Sequence, residues 1–295
     1  MEFGKIHNIE NVNWSLPEDD PQTHTFLNSL PKDSECKFYV GAPSWGASEW
    51  LGRIYPPKTK AADFLFHYSR NFNCIELNTT HYRIPTTEMV KNWCRQVPDE
   101  FHFCPKIFKD ISHARNGLRN KELLKEQYRS LSDFSQNLGP SFIQLPPYFT
   151  YENKAELFRF LEAWPSEFEL LLEFRDPSWF SGNRILEPLV LYLQKKNIGI
   201  VMTDVAGRRD VLHLSVSAPF SMLRFIGNDL HTSDFERSLA WSLKIAEWKE
   251  FGLKKFYFMV HEADLSLVPE MADRVIEDLN SHSGAGLTPL AKSLI

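Results

Sequence analysis

Cysteine is scarce in this sequence, and the few it has are not placed for chemistry. Cys36, Cys74, Cys94 and Cys104 are the four in the chain, and their separations are unlike the short paired spacings of a zinc site or a redox dithiol. Cys74 and Cys104 fall inside hydrophobic runs and read as small packing residues. The sequence also lacks any apolar run near the roughly 20 residues needed to cross a bilayer, so a soluble globular protein without a membrane partner is expected. The first thirty residues have no apolar central segment and no small-residue cleavage site, and a cytoplasmic location is the expectation that follows. Positive charge is not in excess: 33 Lys and Arg stand against 38 Asp and Glu, a formal net charge of -5. That balance argues against a broad nucleic-acid-binding surface and leaves room only for a local basic patch. No fixed-period repeat and no low-complexity tract is visible.

What the sequence does have is alternation. Eight short hydrophobic runs, at 38–42, 74–78, 101–106, 141–145, 168–175, 199–204, 221–225 and 255–261, are separated by amphipathic segments at 60–71, 87–97, 121–138, 154–164, 184–196, 232–251 and 268–279. Strand and helix alternating in this way means parallel β/α units, and α/β barrels commonly fill about 250 residues as one domain. The fold class expected is α/β, a (β/α)8 TIM-type barrel over 37–282. The unit after the sixth strand, 205–220, carries Gly, Arg, His and Pro in place of a helix pattern and is expected to be degenerate. Residues 1–36 are expected to form an irregular arm anchored by Trp14, Phe26 and Leu27, and 283–295 a flexible tail.

Strand parity places the polar groups. The outer face of a barrel strand must be apolar because helices cover it, so Ile75 and Leu77 turn Glu76 and Asn78 inward, and the leucines of 170–172 turn Glu173 and Arg175 inward. By the same parity Lys106, Gln144, Asp204, Arg224 and His261 point into the lumen. All lie near the carboxyl ends of their strands, where barrels of this class carry their active sites.

Several ordered blocks are similar to those of a known family. They are Gly41-Ala42-Pro43-Ser44-Trp45, Trp50, Ile54-Tyr55-Pro56-Pro57, the stretch Phe72 to Arg83 containing Glu76-Leu77-Asn78-Thr79-Thr80-His81-Tyr82, Pro105-Lys106, Gln144-Leu145-Pro146-Pro147, and Glu173-Phe174-Arg175-Asp176-Pro177-Ser178-Trp179-Phe180. In this order they resemble the YecE-like family, domain of unknown function 72. The resemblance implies a TIM-type barrel and supplies no activity. Two blocks depart from the family pattern: Arg224-Phe225-Ile226-Gly227 lacks a His after the apolar residue, and His261-Glu262 stands where an Asn pair is usual.

The rim set balances Glu76, Glu173 and Asp204 against Lys106, Arg175 and Arg224. On a purely structural reading these six pair with one another and satisfy a polar lumen. On the functional reading the cations bind a phosphate or carboxylate while Glu76, Glu173 and Asp204 serve as proton-transfer candidates. Trp45, Asn78, Tyr82, Gln144, Trp179 and His261 complete the expected substrate-binding set, with a small anionic or sugar-like ligand as partner and a hydrolase or isomerase as the class of enzyme. Glycoside hydrolysis would use Glu76 with Glu173 across the lumen. Metal-assisted phosphodiester hydrolysis would draw on His81, His261 and Glu262 with the rim carboxylates, although no paired-His motif marks a metal site and no cofactor is expected. Schiff-base chemistry has Lys106 as its lone candidate, beside carboxylates expected to keep it charged. The competing class is a non-catalytic module that binds a nucleotide or nucleic acid through aromatics and the run Lys106, Lys109, His113, Arg115 and Arg119.

Overall fold

The computed structural model describes residues 4, 6, 8–32 and 35–291. Eight parallel strands run around one core: β1 (Lys37–Ala42), β2 (Cys74–Leu77), β3 (His102–Pro105), β4 (Ser141–Gln144), β5 (Leu170–Glu173), β6 (Gly199–Asp204), β7 (Phe220–Ile226) and β8 (Lys255–His261). Their hydrogen-bonded order is β3-β2-β1-β8-β7-β6-β5-β4. The seam between β3 and β4 is closed by bridges rather than a ladder, Phe103 with Leu138 and Lys106 with Phe142, and Ile107 N–H donates across it to Phe142 O at 2.9 Å. The chain is therefore an α/β barrel of the TIM type.

The helices are α1 (Pro21–Ser29), α2 (Phe64–Tyr68), α3 (Thr79–Tyr82), α4 (Thr87–Cys94), α5 (Lys109–Ser112), α6 (Lys121–Ser132), α7 (Lys154–Ala163), α8 (Glu187–Lys196), α9 (Thr232–Phe251) and α10 (Val268–Ser283). As the sequence implied, the link from β6 to β7 has no α-helix, only 3-10 turns over Ala206–Val211. The arm is not irregular throughout, which corrects that expectation. Asp20 caps α1 by accepting from Gln22 N–H at 2.9 Å, with Pro21 preset at the first helical position, a pairing that stabilises a helix start by about 1 kcal/mol. α1 packs between α8 and α9. There it covers the helixless unit: Thr23 donates to Leu214 O and accepts from Val216 N–H, and Ser215 donates to Asp20. The missing outer helix is replaced from the amino-terminal end.

The tail also departs from expectation. Asn280 brackets Leu287 with two hydrogen bonds of 2.8 Å, Leu290 is buried in the core, and Ala291 N–H donates to Asn71. Residues 292–295 lie outside the described residues.

Inside the barrel, Cys74, Cys104, Phe142, Leu171, Val201, Met222, Tyr257 and Met259 form one apolar cluster. At the amino-terminal end Tyr39 stacks between His102 and Tyr257, with centroids at 4.4 and 4.5 Å, and His102 Nδ1 and Tyr257 Oη share a hydrogen bond of 2.8 Å. That plug fills the lower lumen, so access is confined to the carboxyl end.

Candidate functional site

One layer above the apolar cluster, parity delivers polar side chains from six strand ends. Arg224, fully buried at the centre of the β7 end, grips Glu76 from β2 through Nε to Oε2 at 2.9 Å and Nη2 to Oε1 at 3.0 Å. Its Nη1 donates to both oxygens of Glu173 from β5, at 3.2 and 3.3 Å. The remaining lone pairs are also taken. Asn78 Nδ2 donates to Glu76 Oε1 at 2.8 Å, and His261 Nε2 lies 2.9 Å from Oε2. Arg175 Nε and Gln144 Nε2 donate to the two oxygens of Glu173 at 3.1 and 2.7 Å. The amide of Gln144 is thereby oriented, and its Oε1 accepts from Lys106 Nζ at 2.9 Å.

Charge follows this geometry. Burial alone would raise both carboxyls, but Arg224 and His261 hold Glu76 well below the usual carboxylate range. The charges of Arg224, Arg175 and Lys106, with the Gln144 amide, hold Glu173 at about 2. Two carboxylates that are ionised, fully bonded and about 1% exposed or less are poor proton shuttles. Nor do they flank the open cavity as a glycosidase pair would.

A cavity of about 820 Å³ lies over this floor. The expected residues Asn78, Tyr82, Lys106, Gln144, Arg175 and His261 line it. Glu76, Glu173 and Arg224 lie beneath and do not line it, so the expected role of Arg224 as an anion contact gives way to that of a clamp between two carboxylates. Asp204 is a second correction. It faces the helices, where Arg237 Nη1 and Trp241 Nε1 donate to it at 3.0 and 2.8 Å and Arg209 pairs with it. The inward residues of β6 are Val201 and Thr203, because Ile200 and Met202 belong to the outer core. The tryptophans are a third. Trp179 is fully buried against Phe149 and Phe174, with its indole N–H on Phe149 O, and Trp45 packs edge-on against Trp93 in the outer core. Of the basic run, Lys109, Arg115 and Arg119 are exposed, and Arg119 pairs with Glu156 at 3.4 Å.

The cavity has an electrically uneven wall. On the β3–β5 side, burial, with Arg224 as the next cause, lowers Lys106 to about 8, although Glu173 and Glu76 act in the expected direction and favour its charged form. Burial also lowers His81 to about 4, and Lys106 adds to the effect. Since His81 Nδ1 lies 2.9 Å from the carbonyl of Ile107, that nitrogen donates and Nε2 is left as an acceptor. On the β7–β8 side stand Asp229 and Glu262. Burial, then the charge of Asp234, raises Glu262 to about 8. Glu262 Oε2 accepts from Asp229 N–H at 2.9 Å, whereas Oε1 is buried with no hydrogen-bond partner among the described residues. Gly227 is what allows this approach, because a Cβ there would collide with the Glu262 carboxyl. Sequence reasoning placed Glu262 only among possible metal ligands and passed over Asp229. The signal was present in the departure from an Asn pair at 261–262.

Among the described residues, the one His/Asp/Glu trio close enough to share a cation is Asp19, His24 and Glu247, outside the cavity. Lys244 Nζ already bridges its two carboxylates at 2.8 and 2.6 Å. No described helix is long and apolar enough to cross a membrane.

A family model described as protein of unknown function DUF72 matches residues 39–293. The UPF0759 protein YecE of Escherichia coli strain K12 is 30% identical over 259 residues, 82% of this chain and 92% of the relative. The UPF0759 protein YunF of Bacillus subtilis is 31% identical over 151 residues, 48% of this chain and 52% of its own length. Among solved structures, a DUF72 family protein from Enterococcus faecalis superposes with a TM-score of 0.67 at 18% identity, covering 83% of this chain and 98% of its own. One from Thermotoga maritima gives 0.61 at 22%, covering 84% and 98%. Those structural likenesses bear on the fold.

Proposed function

The chain belongs to the DUF72 family, and we propose that its barrel mouth is the site of an enzyme acting on a small anionic or sugar-like ligand. The observation that carries this reading is the split between floor and wall. Glu76 is taken up by Arg224 and Glu173 by Arg224 and Arg175, while Lys106, held by the neutral Gln144 amide, presents its ammonium to the cavity beside the paired Arg175. Burying an ammonium without a carboxylate beside it costs stability, and an incoming phosphate or carboxylate relieves that cost. Asn78, Tyr82, Gln144 and His261 add the hydrogen-bonding groups that hydroxyls need.

Proton transfer then falls to groups that titrate near neutrality and reach the cavity. These are Lys106 and Glu262, on opposite sides of the mouth. An amine and a carboxyl with values pushed toward each other from 10.5 and 4.5 form an acid–base pair of the kind proton abstraction or hydrolysis uses.

The test is thermal unfolding of the full chain with inorganic phosphate, sulfate and sugar phosphates at low salt. A ligand at one hundred times its dissociation constant stabilises by about 2.7 kcal/mol, and Lys106→Met should remove the response. No shift across the panel would overturn the reading. A shift given by oligonucleotides alone, collapsing steeply with added salt, would favour the nucleic-acid module instead.

A further inference from the structure

We propose that Lys106 is a nucleophile that forms a reversible imine with an aldehyde or ketone carrying a carboxylate or phosphate, and this rests on the anionic-ligand reading above. An imine-forming lysine needs three things: an amine with no carboxylate ion pair, a cavity that admits a carbonyl, and an acid to remove the carbonyl oxygen. The barrel supplies each from a different strand end.

First, Lys106 Nζ donates to the neutral amide oxygen of Gln144 at 2.9 Å. The carboxylate that would otherwise hold it as an ammonium, Glu173, is occupied by Arg224, Arg175 and the same Gln144. The Gln144 amide thus acts as a spacer that keeps a buried lysine near a carboxylate without pairing them. Burial, then the charge of Arg224, lowers the amine to about 8, so more of it is neutral and nucleophilic than in a free lysine. Second, Lys106 and Arg175 share the wall of the 820 Å³ cavity, so an anionic group directed to this wall brings an adjacent carbonyl to the amine. Third, Glu262 lines the same cavity, and burial, then the charge of Asp234, raises its carboxyl to about 8, so it holds a proton to give.

The chemistry balances without a further reactant. The nitrogen lone pair forms the C–N bond while the carbonyl π pair moves to oxygen, giving a carbinolamine after transfer of one proton from nitrogen to that oxygen. The C–O bond then breaks as the acid, Glu262, supplies the second proton across the mouth through intervening water. Water leaves and a protonated imine remains, with the Glu262 carboxylate as its counter-charge. Hydrolysis reverses each step.

The experiment is reductive trapping on the full chain. The protein is incubated separately with pyruvate, glyceraldehyde 3-phosphate and neutral propanal, reduced with borohydride, and mapped by peptide mass spectrometry. The expected result is one dominant adduct, on Lys106, with the anionic compounds at least about tenfold above propanal, and suppressed by inorganic phosphate. Adducts scattered over exposed lysines with Lys106 unmodified would overturn the inference even if phosphate still raised the melting temperature, in which case the anion site would stand alone. Trapping at Lys106 equally by propanal, with no phosphate effect, would keep the imine and overturn the anionic-ligand reading. The wild-type map decides the matter without recourse to a variant.

Discussion

Arg224 holds Glu76 by two parallel hydrogen bonds, of 2.9 and 3.0 Å, with both side chains fully buried. A planar guanidinium matched to a carboxylate in this way is strong while intact, and removing one partner strands the other charge in a site of low polarity.

Glu76→Gln should therefore cost about 3–5 kcal/mol in denaturant melts. A loss under about 1 kcal/mol would show that the floor of the mouth is not built on this pair.

The same clamp predicts an acid limit. Glu76 and Glu173 lie below their ordinary value of 4.5, Glu173 at about 2. A carboxyl lowered by folding contributes stability that is complete above its unfolded value and is lost as pH falls through its folded one. Stability should drop between about pH 4.5 and pH 2, and the Glu76→Gln profile should be flatter in that window.

Glu262 works in the opposite direction. Its value is raised from 4.5 to about 8, so the folded state binds its proton more tightly than the unfolded chain does, and stability falls as pH rises between the two values. Glu262→Gln should stabilise at pH 8, on the order of 2–4 kcal/mol, with the advantage fading toward pH 4.5. Equal pH profiles for variant and wild type would contradict this.

Lys106, lowered from 10.5 to about 8, weakens the fold while it is charged. That cost is present below about pH 8 and relieved as pH rises toward 10.5. Lys106→Met should be about 1–3 kcal/mol more stable than wild type at pH 7, after allowance for the lost Gln144 hydrogen bond, and should converge with it near pH 10.5. Melts at the two pH values check this.

Much of this architecture was legible because β2, β5, β7 and β8 alternate cleanly. Ile75, Leu77, Leu170, Leu172, Leu223, Phe225, Phe258 and Val260 are outer residues, which leaves Glu76, Glu173, Arg224 and His261 facing in. Parity failed at β6, where 199–203 offers no charged residue to betray the inner face and Asp204 turns out toward Arg237 and Trp241. Spacing along the chain says nothing about which charges meet. Arg224 lies 148 residues from Glu76 and 51 from Glu173, so the sequence could number the ions without dividing them into a closed floor and an open wall. The indole of Trp179 was misplaced for a related reason, since an aromatic in a loop can face the mouth or the core, and Phe149 and Phe174 draw it into the core.

The proposed role of the wall formed by Lys106 and Arg175 is to receive an anion. The most direct measurement is anomalous diffraction from crystals of the full chain soaked in selenate, a sulfate analogue that can be located without ambiguity. The strongest selenium peak should lie inside the mouth, with a selenate oxygen within about 3.2 Å of Lys106 Nζ, and should be absent from Lys106→Met crystals. Selenate bound only at the outer surface, with the mouth empty at saturating concentration, would contradict it.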